Sequence, residues 1–120
     1  MAVTYNEAGI ADVPIGGPTD LVRTGELFER SYDHDDSCGQ PRDWTGLSVE
    51  SAAVYDPITL ATVATIAVDF GTPTEGILTL SIADASVPAA GEYRYRVRVT
   101  NGANLRTLQE GRFTVGGAPA

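Results

Sequence analysis

The sequence predicts an all-β protein, a single antiparallel β-sandwich of about seven strands. In several segments apolar and polar residues alternate with a period of two, which places one set on each face of a strand. Turn-forming residues separate these segments, since the 120-residue chain contains 13 glycines and 7 prolines. No segment shows a convincing period for a long helix. Short, regularly spaced strands of this kind are typical of a sandwich.

Residues 1–20 show no sustained period and contain Pro14, Gly16, Gly17 and Pro18. We interpret them as an extended N-terminal arm. The arm is either a flexible leader or a segment that lies on a neighbouring subunit. In the second interpretation its isolated apolar residues form an interface: Val3, Tyr5, Ile10, Val13 and Ile15.

The sandwich itself is predicted to span residues 21–116, followed by a short C-terminal tail at 117–120. Its first four strand segments are 21–33, 44–55, 60–70 and 76–82. In the first of these, the side chains of Phe28 and Tyr32 are predicted to point inward. The run 60–70 is almost continuously apolar, which a buried helix would also fit. Its many β-branched residues and the proline and glycine that flank it favour a strand.

A hairpin is predicted over residues 91–115, after one helical turn at 84–90. On its first strand two sets of residues alternate, namely Tyr93, Tyr95, Val97 and Val99 against Arg94, Arg96, Arg98 and Thr100. The Asn-Gly dipeptide at 101–102 tolerates positive φ and forms the turn. On the return strand Leu108 differs in parity from the apolar residues that follow it, so that strand needs one extra residue. We predict a bulge at Gly111.

The charge is unevenly distributed along the chain. The formal net charge is −8, yet residues 91–120 contain five arginines and only two acids. All eight basic residues are arginines. Overall acidity argues against non-specific binding to nucleic acid. The layout suits head-to-tail packing of copies or an acidic partner for the basic part, although charged, solvent-facing strands would give the same pattern.

The arginine row of the hairpin is the main candidate for a binding surface. Arg94, Arg96 and Arg98 recur at every second residue, with Arg106 or Arg112 predicted to flank them. Such a row can dock the carboxylates of a partner subunit. It can equally be a solvent-facing sheet surface whose arginine stems cover apolar atoms. The sequence leaves both interpretations open.

The polar segment 33–41 is the main candidate for chemistry. Asp33, Asp35 and Asp36 offer oxygen ligands for calcium, although their spacing does not match the EF-hand loop. A solvated acidic turn explains the same residues. His34 and Cys38 lie four residues apart, but acidic neighbours disfavour a reactive thiolate. No known catalytic motif is present, so we expect neither an enzyme nor a cofactor.

Neither a Sec-type signal peptide nor a membrane-spanning segment is predicted, because the N-terminal residues and all later apolar runs lack the required length and composition.

Five motifs in order carry a resemblance to a known group of proteins. They are GELF at 25–28, DWTG at 43–46, GILTLS at 76–81, GEYRYRV at 91–97 and TLQEGRFTV at 107–115. This order resembles small immunoglobulin-like (Ig-like) β-sandwich proteins of tailed bacteriophages. Members of that group are minor tail or baseplate proteins, or attachment modules of fibre proteins. Two departures are the acidic turn at 33–42 and the chain end directly after the sandwich.

The resemblance implies a non-enzymatic virion structural protein, made in the host cytoplasm. It would be an accessory or adaptor subunit of the tail, baseplate or neck. Its partners would be other virion subunits in a symmetric assembly, with no nucleic acid, membrane or small-molecule substrate. Alternatives are a capsid decoration protein, or a carbohydrate- or surface-binding module with calcium in the acidic turn. Trp44 is the sole tryptophan, and core packing beside the turn explains it better than stacking on a sugar, which weighs against the carbohydrate-binding alternative.

Overall fold

The computed structural model describes residues 10–17, 20–36 and 38–116. Within them the chain is all-β, with strands arranged in a five-stranded and a three-stranded sheet. The strands are β1 (Ala11–Asp12), β2 (Phe28–Asp33), β3 (Ser48–Tyr55), β4 (Thr62–Thr65), β5 (Ala67–Asp69), β6 (Ile77–Ile82), β7 (Gly91–Thr100) and β8 (Leu105–Val115). Single 3-10 turns lie at Pro73–Glu75 and Asp84–Ser86, the second within the predicted helical turn. The predicted all-β class is confirmed.

The five-stranded sheet has the order β1-β8-β7-β3-β4, and the three-stranded sheet has the order β2-β6-β5. All pairings are antiparallel except β1 with β8, which is parallel. The apolar run 60–70, predicted as one strand, contributes to both sheets: β4 belongs to the first and β5 to the second. Ile66 lies between them and is buried. The chain therefore crosses between sheets here, which an unbroken apolar run cannot reveal.

Side chains from both sheets form one hydrophobic core. The ring of Phe28 on β2 meets that of Phe113 on β8 edge-on, with centroids 5.3 Å apart. Tyr95 on β7 contacts the same Phe113 ring at 6.2 Å. Phe28 and Tyr32 are each 1% exposed, so their predicted inward orientation is confirmed. The arrangement is that of a β-sandwich-like protein.

Residues 11–15 belong to the sandwich, which corrects the predicted arm at 1–20. β1 pairs with β8, and the chain continues the ladder through Val13 N to Glu110 O at 3.0 Å and Ile15 N to Arg112 O at 2.9 Å. Pro14 lies between these two donors, where a missing N–H costs nothing.

The predicted interface residues of the arm therefore need revision. Val13 and Ile15 are 6% and 1% exposed and pack in the chain's own core, so they are not contacts for a neighbouring subunit. Ile10 is half-buried. Val3 and Tyr5 lie outside the described residues.

The hairpin of β7 and β8 contains the predicted bulge, but at Leu108 and not at Gly111. Val97 pairs with Gln109 and Arg98 with Thr107, so Leu108 is the extra residue. Gly111 pairs regularly with Tyr95 and has a different role. A Cβ atom at Gly111 would lie 2.5 Å from the carbonyl oxygen of Val13, so glycine lets the N-terminal segment approach β8.

Candidate functional site

The outward surface of β7 and β8 carries four arginines, and we call Arg94, Arg96, Arg98 and Arg112 the arginine face. β7 places Tyr95, Val97 and Val99 in the core, each 0% exposed, so the alternating arginines lie on the opposite side of the sheet. Arg112 is directly opposite Arg94 in the register. Arg106, the other predicted flanking residue, instead pairs with Val99 beyond the bulge. The sequence therefore predicted the arginine row correctly and its neighbours in part.

Only part of this positive charge is neutralised. Arg96 Nε lies 3.2 Å from Glu110 Oε2, and its guanidinium is 5.7 Å from the centre of the Tyr55 ring. Among the residues that the structure describes, Arg94, Arg98 and Arg112 have no ion-pair partner. Like charges directly opposite each other on a sheet, as at Arg94 and Arg112, destabilise it. The face thus keeps a positive charge that an external anion would stabilise.

A groove of about 300 Å³ opens beside this face, between β3, β4 and β7. We call it the arginine groove; it is lined by Ser51, Ala53, Tyr55, Leu60, Thr62, Arg96 and Arg98. These lining residues include two arginines and no acid. The Nε atom of Arg98 is buried without a hydrogen-bond partner among the described residues. Leaving such a donor unsatisfied costs about 1–3 kcal/mol, so an acceptor that binds in the groove would stabilise the protein.

The loop between β3 and β4 exposes two apolar side chains, and one of them, Leu60, lines the groove. Ile58 is 90% exposed and Leu60 is 70% exposed. Asp56 fixes the loop, since its Oδ1 atom accepts hydrogen bonds from the backbone N–H of Ile58 at 2.8 Å and Thr59 at 3.0 Å. These bonds lower the pKa of the Asp56 carboxyl. Rigidly held apolar groups next to arginine are typical of protein interfaces.

Leu60 has a φ of 64°, the left-handed conformation that side chains with a Cβ disfavour. We expect Leu60→Gly to raise the free energy of unfolding by about 0.5–1 kcal/mol, because glycine adopts this φ without strain. Urea denaturation measures the change. Ile58→Gly is the control, since Ile58 has no positive φ and should gain nothing. An equal or lower stability of the Leu60→Gly variant would contradict the assigned strain.

The structure does not bring the acidic turn together as a calcium site. Within the described part of the chain, no three His, Cys, Asp or Glu side chains lie close enough to hold a metal ion. Asp36 has another role, because its Oδ1 atom accepts hydrogen bonds from the backbone N–H of Cys38 at 2.9 Å and Gln40 at 3.0 Å. Asp35 forms a bridge to Pro41 across the same turn. The carboxylates thus shape a turn.

The single histidine, predicted to lie in that polar turn, is fully buried. His34 Nε2 donates to Gln109 Oε1 at 2.8 Å, and Gln109 Nε2 donates to the Tyr95 hydroxyl at 2.9 Å. That hydroxyl in turn donates to the carbonyl oxygen of Val13 at 2.6 Å. We call these four residues the buried polar network. It connects the turn after β2 to the segment after β1, whereas Cys38 is exposed.

Burial lowers the pKa of His34 below its ordinary value of 6.5, against the opposing effect of the Gln109 hydrogen bond. Below pH 6.5 the unfolded chain therefore binds more protons at this site than the folded chain does. Folding stability at this site must decrease as the pH falls, by at most about 1.4 kcal/mol per pH unit. Urea denaturation between about pH 7.5 and about pH 5.5 should show this slope, and His34→Gln should flatten it. Identical slopes in both proteins would contradict the prediction.

The described residues include no helix long and apolar enough to cross a membrane. Trp44 is 2% exposed, and its Nε1 donates to the carbonyl oxygen of Ile77 at 3.1 Å, so it belongs to the core. Fold and surface together define an all-β protein of two sheets with an arginine face on the outer side of one sheet. No protein-family model matches the chain, and no curated protein is significantly similar to it in sequence.

Proposed function

We propose that this chain is a non-enzymatic structural protein of the Ig-like type, an accessory subunit that docks onto neighbouring virion subunits through its arginine face. The strand order supports the Ig-like type. In Ig-like domains one sheet contains the third, sixth and seventh strands, and some members add further strands to this sheet. The other sheet contains the second, fourth and fifth strands. The order β1-β8-β7-β3-β4 beside β2-β6-β5 corresponds to the extended form, with an extra strand between β3 and β5.

A tyrosine corner gives further support. In Ig-like domains a tyrosine near the start of the sixth strand bonds with its hydroxyl to the backbone a few residues upstream. Tyr93, the third residue of β7, donates to the carbonyl oxygen of Ala89 at 2.7 Å. The hallmark disulfide of antibody domains has no counterpart, because the chain contains one cysteine. The proposal therefore concerns the sandwich type and not the antibody family.

The observation that carries the docking function is the arginine face with its unpaired charges. Arginine binds carboxylates with two parallel hydrogen bonds and is enriched in interfaces. Here three arginines lack an ion-pair partner among the described residues, and the exposed Leu60 lines the groove together with Arg98. A partner with acidic and apolar side chains would satisfy both features. The placement of that partner in a phage virion rests on the motif resemblance alone.

Docking in a symmetric virion needs only a modest interface for each copy. Many copies held in one assembly add their interfaces, since each bound copy raises the local concentration of the next contact.

His34 is buried and Cys38 is exposed, so the two candidates for nucleophilic chemistry lie in different environments. This separation supports a structural and not an enzymatic role.

Mixing experiments with purified tail, baseplate, neck and capsid subunits of a phage that encodes this chain test the proposal. Mass photometry should show a complex of fixed ratio with one of these subunits. The double variant Arg94→Gln with Arg112→Gln should weaken it by about tenfold or more, since both charge-assisted contacts are removed. Arg106→Gln, which lies beyond the bulge, is the matched control. A chain that binds none of the subunits, or a complex that the double variant leaves intact, would overturn the proposal.

A further inference from the structure

The arginine groove contains a nitrogen donor that pairs with none of the described residues. Arg98 Nε is buried and has no hydrogen-bond partner among the described residues. Its neighbour Arg96 differs, because Glu110 and the Tyr55 ring engage it. Arg98 is therefore the arginine of the groove whose guanidinium forms no ion pair with a described residue. Buried polar groups in folded proteins are almost always paired, and an acceptor that binds in the groove would pair this donor.

The other lining residues indicate the chemistry of that acceptor. Glu110 pairs with Arg96, whereas Arg98 has no ion-pair partner among the described residues, so the groove keeps a positive charge. The rest of the chain carries a large excess of acids. Ser51 and Thr62 add hydroxyl groups at the same place. Leu60 and the Tyr55 ring add apolar surface, with Leu60 70% exposed. A carboxylate flanked by an apolar group complements all of these features.

We propose that the arginine groove binds a glutamate or aspartate side chain on an extended segment of the partner protein, with an apolar residue of that segment covering Leu60. This proposal rests on the proposed docking function and names the group that is recognised. The terminal nitrogens of Arg98 meet the carboxylate first, and a rotation of the arginine torsions turns Nε–H onto its second oxygen. A bidentate pair of this kind uses the fork that lysine lacks.

The groove is open and not enclosed, which favours an internal segment over a chain end. A terminal carboxylate is usually held in a pocket of backbone N–H groups, whereas this site offers side chains on a sheet surface. An acidic side chain can reach Arg98 while its own backbone passes along the exposed β3–β4 loop. Charge and shape therefore identify one occupant, an acidic side chain within a chain.

Blocked dipeptides test the proposal on the full chain by NMR. Acetyl-Leu-Glu-N-methylamide carries the proposed groups, and acetyl-Leu-Gln-N-methylamide differs only in charge. The glutamate probe should shift the Nε–Hε resonance of Arg98 and the amide resonances of Ser51 and Thr62, whereas the glutamine probe should bind at least about tenfold more weakly. Acetyl-leucine with a free carboxylate tests the chain-end source. Equal binding of the glutamate and glutamine probes, or binding of acetyl-leucine alone, would overturn the proposal.

Variants locate the site and separate this proposal from the docking function. Arg98→Lys keeps the charge but not the fork and should weaken the glutamate probe by about tenfold, as should Arg98→Met. Arg106→Gln should leave it unchanged. If Arg98→Lys and Arg98→Met fold and bind the probe like the wild type, the groove proposal fails. If partner docking then still depends on Arg94 and Arg112, the docking function survives that failure.

Discussion

Replacing Gly111 with alanine is expected to lower the free energy of unfolding by about 2–3 kcal/mol. The added Cβ atom would lie 2.5 Å from the carbonyl oxygen of Val13 and 2.9 Å from its carbonyl carbon. Both are backbone atoms, which cannot move aside as the end of a side chain can. The segment after β1 would have to shift away from β8, and its hydrogen bonds to that strand would weaken. Urea denaturation measures the loss.

Gly91→Ala is the matched control for this substitution. Gly91 also lies in the β7–β8 hairpin, but the nearest atoms to a Cβ atom there belong to the Tyr93 side chain, at 3.5 Å or more. Its stability should change by no more than about 0.5 kcal/mol. Hydrogen exchange adds a local readout, because the amides of Val13 and Ile15 should lose protection in the Gly111 variant. Equal stability of the two variants would show that the N-terminal segment does not pack on β8 as described.

Replacing Tyr95 with phenylalanine is expected to cost about 2–3 kcal/mol, although it removes a single oxygen atom. That hydroxyl accepts a hydrogen bond from Gln109 Nε2 and donates one to the carbonyl oxygen of Val13. Its loss leaves a buried donor and a buried acceptor unpaired at once. The thermal midpoint and the urea midpoint should both fall, and the N-terminal segment should exchange its amides faster.

The same substitution at Tyr32 is the control, because its expected effect on the free energy of unfolding is zero or opposite in sign. Its hydroxyl is buried but has no hydrogen-bond partner among the described residues. Burial raises the pKa of Tyr32 far above its ordinary value, as expected for a hydroxyl without compensating contacts. Tyr32→Phe should therefore be neutral or stabilising by up to about 1 kcal/mol. If both substitutions destabilise the protein equally, the buried polar network does not have the assigned role.

The sequence revealed those parts of the fold that a local period encodes. In β7, residues 93–100 alternate between apolar and polar side chains, so both its buried Tyr95 and valines and its outward-facing arginines could be predicted. β1 could not be predicted, because it has only two residues and Pro14 follows it closely. The crossing at Ile66 also escaped prediction, since each sheet takes only three or four residues of one apolar run.

Of the candidate site, only the charged residues could be predicted from the sequence. Arg94, Arg96 and Arg98 were identified from their spacing, but the groove depends on the loop of β3 and β4, which no local pattern places beside β7. The left-handed conformation of Leu60 has no sequence signal either, because glycine is the residue expected there. His34 looked solvent-exposed among acids, while its partner Gln109 lies 75 residues away. The local period of a sequence does not predict hydrogen bonds between residues so far apart in the chain.

Hydrogen–deuterium exchange on the complex with the partner subunit tests the central claim, that the arginine face is the docking surface. Residues 51–62 and 94–98 should gain protection when the complex forms, whereas the outer surface of β2, β5 and β6 should exchange as in the isolated chain. The gain should shrink as salt rises from about 50 mM to about 200 mM, because exposed charge pairs are screened. Protection confined to β2, β5 and β6 would contradict the claim.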